Sequence, residues 1–223
     1  MNNGQMNANT FVPAQQLRDE YLASLLECCV EIYKDIVVKN RHVENQEEKI
    51  RDLFYDDYLN DDDYRHSHDL LNRFDFTAES KEKTGYLDIR AKSINPYIST
   101  KAYYSIECKR LDGKSHLNAE YIKNGICRYV IDHYSTYFDT NAMFGFVVEQ
   151  MDIDKNIDSI NGLLPNDYKN QQGETVNANA KHPLQYFDFA NGYPYSYIST
   201  HTHISGKELT LYHLMFDFSN NII

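Results

Sequence analysis

The chain has 223 residues, 42% of them hydrophobic, and carries 33 acidic against 22 basic side chains, for a formal net charge of −11. That length suits one domain with a proper core, and the sequence offers no run of about 18 apolar residues to span a membrane. The acidity argues against a broadly basic nucleic-acid coat.

The opening MNNGQMNANT lacks the charged-then-apolar order of a signal peptide. The four cysteines, Cys28, Cys29, Cys108 and Cys127, include no CxxC pair. They read as packing thiols in a reduced, cytoplasmic protein.

Residues 1–12 are Asn-rich and are expected to form a disordered tail, with residues 13–223 as a single domain. Pro13 opens a helix to about Lys39, with Leu22, Leu25, Leu26, Cys29, Ile32, Tyr33 and Ile36 as one apolar stripe. A second helix is predicted over Glu44–Leu59, with Ile50, Leu53 and Phe54 inward. The acidic run Asp56–Asp63 ends it. Asp61-Asp62-Asp63 lacks the glycine and closing glutamate of an EF-hand loop, so it reads as a solvated acidic turn. His66–Leu71 suggests a short helix, and Phe74 and Phe76 alternate as in a short strand.

Gly85–Asp112 reads as two buried strands joined by a loop at Ile94-Asn95-Pro96. A long helix follows over Leu117–Phe138. Ile122, Ile126, Tyr129, Val130 and His133 are predicted on its buried face, and Gly125 allows close approach. Ala142–Val148, AMFGFVV, is a fully buried strand by pattern. A helix over Asp152–Leu164 ends at Pro165. Residues 166–183 read as a mobile polar loop. The end is all strand: Leu184–Phe189, Tyr195–Ile204 and Glu208–Phe218, with a hairpin turn at Ser205-Gly206-Lys207. Helices before the strands and a crossover helix among them predict an α/β fold with a mixed sheet and helices on both faces.

Charge is unevenly spread. Residues 1–80 carry a net −9, residues 81–130 a net +5 and residues 131–223 a net −7. The one basic segment holds three charges that a buried hairpin should not contain: Asp88, Glu107 and Lys109. By strand alternation Tyr103, Ser105, Glu107 and Lys109 share one face, while Tyr104, Ile106 and Cys108 share the other. Tyr86, Asp88 and Arg90 share a face of the preceding strand, opposite Leu87, Ile89 and Ala91. One antiparallel register brings Asp88 beside Glu107 and Lys109. Two carboxylates with the backbone carbonyl of Cys108 would form an all-oxygen site suited to Mg²⁺ or Mn²⁺. Lys109 would then stand beside a metal-bound water. Glu47 falls on the buried side of the second helix, either as a third carboxylate or as a first-turn dipole residue.

The segments GYLDIR and IECKR, with 18 residues between Asp88 and Glu107, resemble the PD-(D/E)XK, or restriction-endonuclease-like, nuclease superfamily. The resemblance covers about residues 44–150. It implies a restriction-endonuclease-like mixed central β-sheet flanked by α-helices, here with a C-terminal strand extension. It also implies Asp88, Glu107, Lys109 and Glu47 as catalytic residues, and Asp88, Glu107, Glu47 and the Cys108 carbonyl as metal ligands. Leu87 stands where the family name has proline. Asn118–Tyr121 gives no Gln-x-x-x-Tyr signature, so a RecB-type exonuclease is not implied. Tyr121, Gly125, Arg128 and Tyr129 resemble uncharacterised bacterial members linked to restriction or phage defence.

The expected activity is therefore Mg²⁺- or Mn²⁺-dependent hydrolysis of DNA. Lys123, Arg128, Arg110 and Lys114 are the expected phosphate contacts, and the resemblance implies a homodimer for cutting two strands. One rival keeps the fold without catalysis, as a binding module or subunit of a larger complex. Another is an interaction protein whose acidic surface meets a basic partner. His201, His203 and His213 read as polar surface side chains, as phosphate contacts, or as zinc ligands lacking a fourth partner. The Cys108 thiol is assigned to the core.

Overall fold

The computed structural model of the chain describes residues 14–82, 85–94, 101–134 and 138–223. The tail read over residues 1–12 and the Asn95-Pro96 part of the hairpin loop lie outside the described residues.

Helix α1 (Ala14–Val38) buries its apolar stripe completely at Leu22, Leu25, Leu26, Cys29, Ile32 and Ile36. Helix α2 (Glu47–Phe54) is continued by a π-helical turn over Tyr55–Leu59. It starts three residues later than expected. Val43 is held in a parallel bridge to Ile222, and Gln46 is extended at φ −134°, ψ 136°. Asp61 accepts the Tyr64 amide and caps the short helix α3 (Asp62–His66), the role its triplet plays in place of a calcium loop. The helix expected at His66–Leu71 is replaced by α3 before it and a 3₁₀ turn at Leu71–Arg73 after it.

Strands β1 (Phe74–Lys81), β2 (Tyr86–Ser93) and β3 (Tyr104–Leu111) form an antiparallel run. Helices α4 (Ser115–Tyr121) and α5 (Cys127–Val130), joined by a π-helical turn over Ile122–Ile126, cross over to β4 (Thr140–Val147), which lies parallel to β3. This crossover ends at Val130 rather than Phe138. Asp132 turns the chain at φ +59°, in the left-handed region that stops a helix. His133 therefore lies in the turn and not on the helix face. Gly125 lets the π turn press on β4: a Cβ there would sit 2.3 Å from Met143 Cε, and that side chain would have to move aside.

Helix α6 (Ile153–Leu163) is capped by Asp152. The polar stretch after it is not a structureless loop. It forms a small ribbon of β5 (Tyr168–Lys169) and β6 (Thr175–Val176) before entering β7 (Ala180–Tyr186). Asn170 Oδ1 accepts the amides of Gln172 and Glu174, and Asn177 Nδ2 donates to the carbonyls of Pro165 and Asn166. Asparagine side chains thus template turns that composition alone reads as coil. Strands β8 (Ser196–Thr202) and β9 (Glu208–Asp217) complete a seven-stranded mixed sheet of order β1-β2-β3-β4-β9-β8-β7. The C-terminal strands extend that same sheet, because β9 lies parallel to β4.

Helices cover both faces, which defines an α/β fold. Ala142, Phe144 and Phe146 of β4 enter one core with α1 and α2. Met143 and Val147 enter the other with α4, α5 and α6. No helix among the described residues is long and apolar enough to cross a membrane.

The histidines differ from the surface reading. His201 and His213 are both 0% exposed, and their partners assign one proton order. The Ala178 carbonyl can only accept, so His201 Nδ1 carries the proton toward it at 2.8 Å. His201 Nε2 then accepts from the Ser199 hydroxyl at 2.7 Å. Ser199 Oγ accepts in turn from His213 Nε2 at 2.7 Å, and His213 Nδ1 accepts from Tyr121 Oη at 2.8 Å. Every ring nitrogen is used, which leaves none for zinc or phosphate. His203 is half-buried, bonded to Ser205.

Burial pushes the His201 imidazole down to about 4 and His213 well below its usual value. Folding therefore releases protons. The stability is fully present above the unfolded value near 6.5 and is lost as pH falls through the folded values. Between pH 7 and pH 5 each buried imidazole should remove about 2 kcal/mol. Urea unfolding of wild type and of His201→Gln/His213→Gln at both pH values should show a steeper loss for wild type; equal losses would remove this account.

Candidate active site

On α2, Glu47 and Arg51 stand four residues apart and face the same way. Arg51 is 5% exposed, and its Nη1 reaches Asp88 Oδ1 at 3.4 Å while its Nη2 reaches Asp52 at 2.6 Å and Glu79 at 3.1 Å.

Asp88 marks the point where β2 leaves β3. The ladder pairs Ile89 with Ile106 and continues to Ala91 with Tyr104. At Asp88 a side chain takes over: its Oδ2 accepts the Cys108 amide at 2.8 Å. Leu87 packs into the second core, whereas Ile89 and Ala91 pack into the first. The alternation expected to hold these three on one face is broken here. Glu79 on the neighbouring strand adopts φ +49°, between the Ala78–Ile89 and Ser80–Leu87 pairs.

Strand β3 keeps its alternation. Tyr104, Ile106 and Cys108 enter the first core. Burial pushes the Cys108 thiol well above its usual value, consistent with a packing role. Glu107 and Lys109 face the other way. Lys109 Nζ lies 2.8 Å from Glu47 Oε1, 3.0 Å from Glu107 Oε1 and 3.8 Å from Asp88 Oδ2, and donates to the Cys108 carbonyl at 2.5 Å. The second oxygen of Glu47 accepts the Arg110 amide at 3.2 Å.

Glu107 is 0% exposed. Its Oε1 accepts from Arg128 Nη1 at 2.7 Å, and its Oε2 accepts from the Tyr134 hydroxyl. Burial drives the Glu107 carboxyl up to about 7, against the pull of Lys109 and Arg128 and with Asp88 adding to the rise. For Lys109, burial favours the neutral amine, but Glu107, Asp88 and Glu47 together outweigh it and hold the ammonium charged.

Glu47, Arg51, Asp88, Glu107, Lys109 and Arg128 line a cleft of about 430 Å³ with Glu48, Glu79, Gly85, Tyr86 and Gln171. Five acidic and three basic side chains line it, so the basic segment 81–130 does not make a basic cleft. Glu47, Glu48 and Glu79 arrive from the acidic first third of the chain.

The oxygens around Lys109 Nζ are three carboxylates and a carbonyl, a donor set of the kind hard divalent cations take. The ammonium stands in for a cation at their common point. Among the described residues, however, no three His, Cys, Asp or Glu side chains form a cation cage by themselves. These oxygens would hold a divalent ion only with the Lys109 ammonium moved off them.

Of the side chains expected on phosphate, Arg128 turns inward to Glu107 and Tyr134. Lys123 pairs with Glu120 at 3.4 Å on the same helix. Lys114 is exposed and pairs with Glu149 at 3.0 Å and Asp112 at 3.3 Å. Arg110 Nη1 holds the Asn45 carbonyl at 2.7 Å. Sequence reasoning missed Arg51, Glu79, Tyr134 and Gln171. Arg51 was legible from its spacing to Glu47. Tyr134 and Gln171 come from a turn and a ribbon that carry no such signal.

Searches with family models, curated proteins and solved structures gave no match to this chain.

Removing one partner of a buried ion pair strands the other. Arg128→Ala should therefore cost about 3 kcal/mol or more in urea unfolding. Arg128→Ala/Glu107→Gln should recover part of that loss, because the stranded charge is gone. A double variant no more stable than the single one would contradict the pairing.

Proposed function

We propose that the chain is a metal-dependent phosphodiesterase, a nuclease acting on DNA, built on a restriction-endonuclease-like version of this α/β fold. The observation that carries the reading is the gathering of Glu47, Asp88, Glu107 and the Cys108 carbonyl within 3.8 Å of Lys109 Nζ. The topology supports it. An aspartate stands where an antiparallel hairpin splits, an acid and a lysine follow on the next strand, and a helical crossover leads to a parallel neighbour. The resemblance to restriction and phage-defence proteins and the expectation of DNA and a second copy as partners belong to the same proposal.

Glu47, Asp88, Glu107 and the Cys108 carbonyl would hold Mg²⁺ or Mn²⁺. When bound, such an ion supplies a polarised water and screens a phosphate. The chain's own residues do the rest. Arg128 and Tyr134 hold Glu107 in place and favour its ionised form against burial. Arg51 holds Asp88 Oδ1 while the Cys108 amide holds Oδ2. Lys109, its ammonium moved off those oxygens, would place a positive group beside the reacting phosphate and stabilise developing negative charge.

The saturation of both Glu107 oxygens favours a second reading, a nuclease-fold binding module without catalysis. DNA cleavage in Mg²⁺ and in Mn²⁺, with wild type, Asp88→Ala and Lys109→Ala, tests the first. Each variant should lose about 10²-fold or more in rate, the scale of removing one transition-state contact. Equal cleavage by the variants, or none by wild type on any DNA form, would sink the catalytic reading. Calorimetric titration with Mn²⁺ then separates the two, since the module should show no tight site.

A further inference from the structure

Glu47, Lys109 and Arg128 line two adjoining clefts. The first is the acidic cleft already described. The second, of about 320 Å³, is completed by Arg110, His116, Leu117, Glu120 and Asn124.

The two differ in charge. The first has five acidic and three basic side chains, a formal −2. The second has Lys109, Arg110 and Arg128 against Glu47 and Glu120, a formal +1 with His116 neutral, of which Lys109 and Arg128 are also paired with Glu107. Glu120 is already engaged by Lys123 and Asn124 on its own helix. Arg110 commits only Nη1 of its guanidinium, to the carbonyl and side-chain oxygens of Asn45. His116 is exposed and its ring makes no hydrogen bond to the described residues. The second cleft thus offers unused donors on Arg110 and His116, next to a first cleft that gathers oxygens around the Lys109 ammonium.

We propose that the second cleft is a subsite for a phosphodiester of a polynucleotide strand, the one adjoining the group at the charged centre, with Arg110 and His116 as its contacts. The strand crosses the ridge formed by Glu47, Lys109 and Arg128, so the ligand is a chain rather than a single nucleotide. The inference rests on the phosphodiesterase reading for what occupies the centre, but its test reads binding and not turnover.

The probe is a short fluorescein-labelled single-stranded DNA, titrated in EDTA over a range of salt by fluorescence anisotropy. His116→Ala and Arg110→Gln alter side chains that no core depends on. Each should weaken binding roughly three- to tenfold, and Arg110→Gln should lower the salt slope by about 0.7, the value for one lost phosphate contact on a single strand. Lys155→Ala, exposed on α6, should change neither quantity. Wild-type affinity and slope in both variants would overturn the subsite, as would failure of wild type to bind the strand. Cleavage in Mg²⁺ is read in parallel. A strand that binds through Arg110 and His116 but is never cut overturns the catalytic reading alone; a strand cut by both variants with unchanged KM overturns the subsite alone.

Discussion

Glu107 is a carboxylate with no exposed surface in the middle of a sheet. Removing such a group from water costs several kcal/mol unless donors replace the water. Three do: Arg128, Tyr134 and Lys109. Each places a demand on the fold. Arg128 must arrive from α5 at the height of β3. That height is set by how closely the crossover helix approaches the sheet, and at Gly125 the approach brings the backbone against the Met143 side chain. Tyr134 must arrive from the turn after α5, so the helix has to stop at Val130. The left-handed Asp132 does that.

Lys109 extends the dependence to the other helix layer. Its ammonium needs Glu47, and Glu47 sits in the first turn of α2. The approach to that turn is pinned by the far end of the chain. Val43 donates to the Asn221 carbonyl, Ile223 donates back to Val43, and Asn221 Nδ2 holds the Arg41 carbonyl. The last three residues are distant from the cleft in sequence yet fix where α2 begins. Arg51, one turn later, then reaches Asp88. The two layers on opposite faces of the sheet meet at these charged side chains.

Much of this was legible because it is periodic. Two-residue alternation put Glu107 and Lys109 on one face of β3 and Cys108 on the other, and helical spacing put Glu47 inward. What failed was whatever breaks a period or joins distant residues. The alternation misplaced Leu87 because β2 leaves β3 at Asp88, where a side chain substitutes for a backbone partner. The alternating histidines read as surface because polar residues on a strand normally are. His213 is nevertheless satisfied by Tyr121, 92 residues away, and no local pattern announces that pairing. Segment charge misled for the same reason. The net +5 of residues 81–130 is met in space by Glu47, Glu48 and Glu79 from an earlier segment.

A purely structural ion-pair network would be expected to balance, since unpaired charge in a half-buried cleft is costly and apolar packing is often as stable. The acids lining the first cleft exceed its bases by two, but the surplus is carried by the exposed Glu48 and Glu79. At the centre Glu47, Asp88 and Glu107 meet Arg51, Lys109 and Arg128 three to three. The Glu107 carboxyl is raised first by burial and in part by Asp88, against Lys109 and Arg128. The second cleft shares Glu47, Lys109 and Arg128 with the first and adds Arg110 and His116. Because the central charges balance among themselves, the proposed function draws on the convergence of oxygens at Lys109 Nζ and not on a surplus of charge.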